Sequence, residues 1–176
     1  MPGRFILIVL CTLLIGITTL TAQEQDQKEI EKPEFVTNPP EHTKKKVFAI
    51  GTAKNTSRQM LEMAVKATVK QVMVDTLRAR FNFWANQFIE EVGDSTQVAY
   101  QMEEAVSGFY VNKIDMLKEE DSFMMPDPDI PQLIYAYLLV SYPAENVQKK
   151  FLQFLGKDQG LYNKFISSET YFYMEN

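Results

Sequence analysis

The chain has almost none of the side chains that nucleophilic enzymes and zinc sites require. Its 176 residues include one cysteine, Cys11, and one histidine, His42. Nucleophilic mechanisms of the Ser-His-Asp or Cys-His kind need an imidazole beside the nucleophile, and zinc sites draw on histidine and cysteine. His42 lies in a polar segment without apolar support, so we interpret it as a solvated linker residue. The sequence predicts no catalytic site of these kinds, no zinc site and no cofactor.

The first 22 residues predict export. Arg4 precedes an apolar run from Phe5 to Leu20, and a small-residue cleavage point follows at Thr21-Ala22. This order is typical of a secretory signal peptide, and the run is shorter than the ~20 residues of a spanning helix. Retention of the leader as a membrane anchor is the alternative. Because bulky residues precede Cys11 where lipoprotein processing needs small ones, we expect no lipidation there.

Cleavage before Gln23 leaves 154 residues without a cysteine, and the loss of Arg4 takes the formal charge from −5 to −6. Such a chain has no disulfides, so its stability depends on a hydrophobic core, and its length suffices for one domain. The acidic balance opposes binding to nucleic acid, whose phosphates require clustered lysine and arginine. We expect a periplasmic or envelope-associated protein that contacts a membrane only if the leader is retained.

Composition divides the chain into four regions. Residues 1–22 are the signal peptide, and residues 23–46 are rich in Gln, Glu, Lys and Pro. The second region has too few apolar residues to offset the entropy of ordering it, which predicts a flexible tether. Residues 47–170 form the single folded domain, and residues 171–176 are an aromatic tail.

The domain begins with a predicted strand, Val47 to Ala53, and a long helix from Arg58 to about Val92. The helix range lacks proline and glycine, and its small residues Ala64 and Ala67 favour close packing on a sheet. Apolar residues recur along it at helical spacings, namely Met60, Ala64, Ala67, Val74, Phe81 and Phe88. A shorter helix is predicted from Thr96 to about Val106.

Two further strands and a helix complete the predicted fold. Alternation from Phe109 to Met116 predicts a second strand with a bulge near Asn112-Lys113, followed by a polar connection over residues 119–129. Residues 132–142 are apolar on both faces, which favours a central strand covered on both sides. A helix should run from Pro143 to Gly156, with a final helical turn or two after it. The fold class is α+β, with a small three-stranded antiparallel sheet packed by a long helix and a C-terminal helix.

Acidic clusters leave one candidate metal site. Asp127-Pro128-Asp129 supplies two carboxylates that could bind calcium, but it lacks the glycine and terminal glutamate of an EF-hand loop. An ordinary turn is the alternative interpretation. Gly51 stands alone at a strand end, which favours a role in backbone geometry or close helix packing over phosphate binding.

Two aromatic and methionine-rich segments are the candidate interaction sites. Phe123, Met124 and Met125 follow a polar stretch and are predicted to project outward from a loop. Tyr171, Phe172 and Tyr173 form a tail that either folds back on the core or docks on a partner. Methionines suit adaptable binding surfaces, yet they fill irregular cores as readily.

The order strand, long helix, two strands, helix carries a resemblance that periodicity alone does not reveal. Four short segments carry it, namely Phe48-Ala49-Ile50-Gly51-x-Ala53, Met63-Ala64-x-x-Ala67, Val106-Ser107-Gly108 and Ile134-Tyr135-Ala136-Tyr137. In them the chain resembles the Lpp-twenty-type surface lipoproteins, which are similar in fold to the amino-terminal domain of the flagellar assembly protein T. The resemblance spans roughly Val47 to Leu155 and implies an exported, non-enzymatic protein that assembles with envelope components.

The leading hypothesis is therefore an exported assembly or scaffold subunit that self-associates or binds envelope proteins. The alternative is a small-ligand or calcium-binding periplasmic module with a pocket between the sheet and the helix end around Phe81 to Phe88. An enzyme acting through carboxylates alone, with Asp127 and Asp129 as its best site, is the third.

Overall fold

A computed structural model describes residues 32–93, 96–108 and 114–175. The described residues form three strands and six helices, an α+β arrangement. In chain order the elements are α1 (Glu34–Thr37), β1 (Lys46–Asn55), α2 (Arg58–Val92), α3 (Thr96–Ser107), β2 (Lys118–Pro126), β3 (Ile134–Pro143), α4 (Ala144–Leu155), α5 (Gln159–Ile166) and α6 (Glu169–Glu175).

The strands form one antiparallel sheet in the order β1-β3-β2. β3 lies in the centre, pairing with β1 from Lys46↔Pro143 to Asn55↔Ile134 and with β2 on its other side. Its doubly apolar sequence predicted this central position. The predicted fold class, a three-stranded antiparallel sheet with a long helix and C-terminal helices, is confirmed.

α2 is a 35-residue helix that covers one face of the sheet, called here the inner face. It begins after Ser57, whose side chain accepts a hydrogen bond from the Met60 N–H, and ends at Gly93, which has a φ of 74°. These limits match the prediction. Its buried stripe recurs every three or four residues and comprises Leu61, Val65, Val69, Met73, Val74, Leu77, Phe81, Ala85 and Phe88.

α2 approaches the sheet closely at Gly51 and Val69. A Cβ atom added to Gly51 would stand 2.5 Å from Val69 Cβ and 2.6 Å from Val69 N. The prediction that Gly51 serves helix packing is confirmed. The prediction that Ala64 and Ala67 make this contact is wrong, because Ala67 is exposed and Ala64 is only half-buried. The small residue lies on the strand, so a β-branched residue can face it from the helix.

The remaining helices enclose the other end of the inner face. Phe151 of α4 packs on Phe81 at 5.1 Å between ring centroids and on Phe165 of α5 at 5.2 Å, and Phe165 contacts Phe88 at 5.2 Å. All four rings are fully buried. α4 ends before Gly156 and α5 follows it, as the sequence predicted.

β2 does not lie where the alternation predicted it. The strand is Lys118–Pro126, and Met116 has a φ of 66°, a left-handed conformation outside the extended region of a regular strand. The predicted bulge at Asn112-Lys113 falls outside the described residues, whereas a bulge does occur between Glu119 and Asp121. The prediction of a polar connection at 119–126 is wrong because a charged sequence is compatible with a strand at the sheet edge.

Candidate functional site

The second face of the sheet, called here the outer face, is apolar and has little helical cover among the described residues. Side chains from all three strands alternate onto it, and none is more than about a third exposed. They are Phe48, Ile50, Phe123, Met125, Tyr135, Tyr137 and Leu139. A sheet with two apolar faces needs cover on both, so the outer face is the first candidate interaction surface.

Residues 32–45, called here the strap, provide the cover of the outer face that the structure describes. The strap contains the four-residue helix α1, and its Phe35 is 8% exposed within the outer-face cluster. Val36 packs there in part. The sequence predicted a flexible tether for this segment and missed Phe35, because one apolar residue among prolines and charges produces no periodic signal.

The strap then runs along the outer edge of β1. The Thr43 N–H donates to the Lys46 carbonyl at 2.8 Å, and the Phe48 N–H donates to His42 Nδ1 at 3.2 Å. His42 is exposed, in keeping with its interpretation as a solvated residue. Its hydrogen bond nevertheless fixes the ring against the strand, a role that the sequence did not reveal.

The predicted interaction residues of β2 point to different sides of the sheet. Phe123 and Met125 lie on the outer face opposite Tyr137 and Tyr135, and Met125 is only 5% exposed. Met124 lies on the other side of the strand and is 37% exposed. The three residues belong to a strand and not to the predicted loop, so a strand period decides their exposure.

The aromatic tail belongs to α6, which packs on the helix layer across the sheet from the outer face. Tyr171 contacts Phe165 at 6.0 Å between ring centroids, and Met174 is 7% exposed in the inner core. Phe172 and Tyr173 remain 63% and 70% exposed. The tail therefore folds back on the core as a helix and still presents two aromatic rings to solvent.

A carboxylate from α2 fixes the start of α6. Glu91 accepts hydrogen bonds from the backbone N–H groups of Glu169 at 2.8 Å and Thr170 at 3.0 Å, and from the Thr170 hydroxyl at 2.9 Å. Burial raises the pKa of Glu91, but the hydrogen bonds from Thr170 and Glu169 outweigh this and lower it overall. Glu91 therefore has a structural role.

The two edges of the sheet differ in their protection against strand addition. The β2 edge begins with four consecutive charged residues, 118–121, contains the bulge and ends at Pro126. Charges, bulges and proline are the means by which proteins prevent an edge strand from pairing with another chain. Nothing comparable occurs in β1 between Ile50 and Ala53.

The outward backbone groups of β1 can be identified from the strap contacts. Because Lys46 and Phe48 bond outward to the strap, the alternation of a strand directs Ile50, Thr52 and Lys54 outward as well. Within the described residues, the N–H and C=O groups of these three make no hydrogen bond beyond the edge. Thr52 and Lys54 are exposed, so this half of the edge is open to solvent.

Asp127, the best candidate calcium ligand, serves the turn between β2 and β3. Its Oδ1 accepts the N–H groups of Asp129 and Ile130, each at 2.9 Å, and the residue is 6% exposed. Burial raises the pKa of Asp127, but hydrogen bonds from Ile130, Asp129 and Tyr135 lower it overall. The described residues contain no group of three His, Cys, Asp or Glu side chains placed to hold a metal ion.

Glu120 links the two edge strands across β3. Its Oε1 accepts from Lys46 Nζ and from Ser141 Oγ, both at 2.6 Å. The hydrogen bond from Lys46, followed by that from Ser141, lowers the pKa of Glu120 to about 2. This ionic cluster marks the end of the outer face where β1 begins.

Comparison with known proteins identifies no relative. No family model matches the chain, and neither the curated proteins nor the solved structures include a match. The resemblance to surface lipoproteins stays a prediction. In the part of the chain that the structure describes, no helix is long and apolar enough to cross a membrane.

Proposed function

We propose that the chain is an exported, non-enzymatic assembly subunit whose copies associate through the open edge of β1. The observation that supports this most is the contrast between the edges, since β2 carries the usual protection and β1 from Ile50 to Ala53 does not. An unprotected edge next to an apolar face is a template for strand addition. The preferred occupant is a second copy of the same chain, because this edge is self-complementary.

The geometry of the edge permits a two-fold axis at Thr52. In an antiparallel pair of β1 strands centred there, Ile50 of each copy faces Lys54 of the other, and the outward backbone groups of both strands meet. Only uncharged residues lie at the centre, and Lys54 stands away from its own symmetry mate. The pairing extends the sheet to six strands and makes the two outer faces continuous.

The strap limits the length of the pairing. It occupies the edge at Lys46 and Phe48, which leaves Ile50 to Asn55 for a second copy. Such a contact buries less surface than the ~800 Å² per partner of a standard interface. We therefore expect a reversible dimer of micromolar strength, not an obligate one.

Size-exclusion chromatography with light scattering tests this proposal across a range of micromolar concentrations. The wild-type protein should shift from monomer to dimer as its concentration rises. Thr52→Lys places two lysines face to face on the axis and should weaken the dimer about tenfold or more. Ser122→Lys adds the same charge at an exposed position of the other edge strand and should leave the dimer unchanged.

A monomer at every concentration contradicts the proposal, as does a dimer that Thr52→Lys leaves intact. Circular dichroism of both variants shows whether the fold is retained. Export is tested separately by the intact mass of the native protein, which should begin at Gln23.

A further inference from the structure

A cleft of about 370 Å³ lies on the helix side of the molecule, between the strap, α2, α4 and α6. His42 and Lys44 of the strap form one wall, and Arg80 and Trp84 of α2 form the other. Gln148 of α4 closes the end by donating a hydrogen bond to the Met174 carbonyl of α6. The volume is at the lower end of the range for small-molecule sites, which is about 300 to 1,000 Å³.

Arg80 is the unusual residue of this cleft. α2 has three arginines, and the other two pair with carboxylates of the same helix, Arg58 with Glu62 at 3.4 Å and Arg78 with Asp75 at 3.5 Å. Arg80 is half-buried and makes no ion pair or hydrogen bond within the described residues. A guanidinium withdrawn from water without a counter-ion is unfavourable, and a bound anion would relieve that cost.

The other polar groups around Arg80 are mainly hydrogen-bond donors. His42 Nδ1 accepts the Phe48 N–H, which places the proton of the neutral ring on Nε2. The Trp84 indole N–H makes no hydrogen bond in the described part of the chain. Lys44 carries a second positive charge, and no aspartate or glutamate among the described residues lines the cleft. A wall of donors is complementary to a ligand that supplies acceptors.

Local electrostatics agree with this arrangement. Partial burial of the ring, followed by the positive charge of Arg80, lowers the pKa of His42 and favours its neutral form. Burial also lowers the pKa of Arg80, which nevertheless remains charged. The cleft is thus a positive site in a chain whose formal net charge is −5.

We propose that this cleft binds a small organic anion, whose carboxylate or phosphate group pairs with Arg80 while its apolar part contacts Trp84. The fork of guanidinium N–H groups matches two oxygens of either group. The indole ring, held by Phe151 at 5.3 Å between ring centroids, forms a rigid apolar wall beside them. This site is separate from the β1 edge and does not depend on self-association.

The position of Trp84 makes the site directly observable. Trp84 is the only tryptophan of the chain, so fluorescence excited selectively at tryptophan, without the tyrosines, reports on this cleft. We would titrate the purified protein at constant ionic strength with benzoate, with inorganic phosphate and with neutral benzamide. A saturable change in fluorescence with benzoate or phosphate, but not with benzamide, is the expected result. The anion that binds with the higher affinity identifies the preferred group.

Two substitutions on the same helix distinguish a site from general charge attraction. Arg80→Met should weaken anion binding at least about tenfold, the effect expected when a charged hydrogen-bonding partner is lost. Arg78→Met removes the same charge two residues away and should bind as the wild type does. Arg80→Lys, which keeps the charge, should bind with intermediate affinity and guards against misinterpreting a misfolded Arg80→Met protein.

The proposal is overturned if folded wild-type protein gives no saturable response to either anion. It is also overturned if Arg80→Met and Arg78→Met bind alike, or if benzamide binds as well as benzoate.

Discussion

The two faces of the same sheet are stabilised in different ways. The inner face is covered by α2, a 35-residue helix, together with α4, α5 and α6, and nearly every apolar side chain there is buried. The outer face is covered, within the described residues, by the strap and its single buried ring, Phe35. The free energy of folding should therefore come mainly from the inner face. On the outer face the strap should detach more easily, and the adjacent edge of β1 can accept another strand.

The largest expected effect on the free energy of unfolding comes from a comparison of one phenylalanine substitution on each face. Phe81→Ala empties a fully enclosed position of the inner face and should cost about 4 kcal/mol, whereas Phe35→Ala should cost about 2 kcal/mol or less because the strap can detach alone. Urea unfolding measures both costs. Hydrogen exchange of Phe35→Ala should show faster exchange in the strap and unchanged protection in α2. Equal costs for the two substitutions would show that the faces are equivalent.

The second comparison uses adjacent residues of β1 that point to opposite faces. Gly51→Val drives a side chain into the backbone of Val69 and should destabilise the fold by about 3 kcal/mol. Thr52→Val, on the exposed outer side, should change the unfolding free energy by no more than about 0.5 kcal/mol. Thermal unfolding of the two variants checks this. A tolerated Gly51→Val would mean that α2 can move away from the strand.

A smaller effect of opposite sign is expected at Tyr142. Its side chain lies fully buried in the inner core, its hydroxyl has no hydrogen-bond partner among the described residues, and burial raises its pKa to about 12. Removal of an unsatisfied buried hydroxyl should stabilise the protein, so we expect Tyr142→Phe to gain about 1 kcal/mol. Denaturant unfolding measures the gain, and a loss of stability would reveal that the hydroxyl is bonded.

The smallest effect concerns the ionic cluster at the rim of the outer face. Because the pKa of Glu120 falls from 4.5 to about 2 on folding, its ionised form stabilises the folded state above pH 4.5. That contribution is lost as the pH falls toward 2. Glu120→Gln should therefore be less stable than the wild type at pH 7, and the difference should vanish toward pH 2. A difference that is independent of pH would exclude this carboxylate as the source.

Sequence patterns predicted the elements with long apolar patterns and missed those whose position depends on tertiary structure. α2 and β3 have long apolar patterns bounded by caps and turns, so their positions were predictable. β2 is charged because it is an edge strand, and a charged stretch with prolines resembles a turn until its neighbour in the sheet is known.

The sites were less predictable than the fold. Phe35 is one apolar residue among polar ones, and only the outer face gives it a role. His42 and Arg80 are far apart in the sequence and meet through the path of the strap. That Arg80 has no counter-ion in the described part of the chain can be recognised only when the partners of the other arginines of α2 are known.

The most direct test of the central claim is the hydrogen exchange of three backbone amides, those of Ile50, Thr52 and Lys54, at low and at high micromolar protein concentration. These N–H groups point outward from β1 and make no hydrogen bond within the described residues of one copy. If copies pair through this edge, the three amides should exchange quickly in dilute protein and become protected as the concentration rises, while the β2 edge stays unchanged. Fast exchange of all three at both concentrations would contradict assembly through β1.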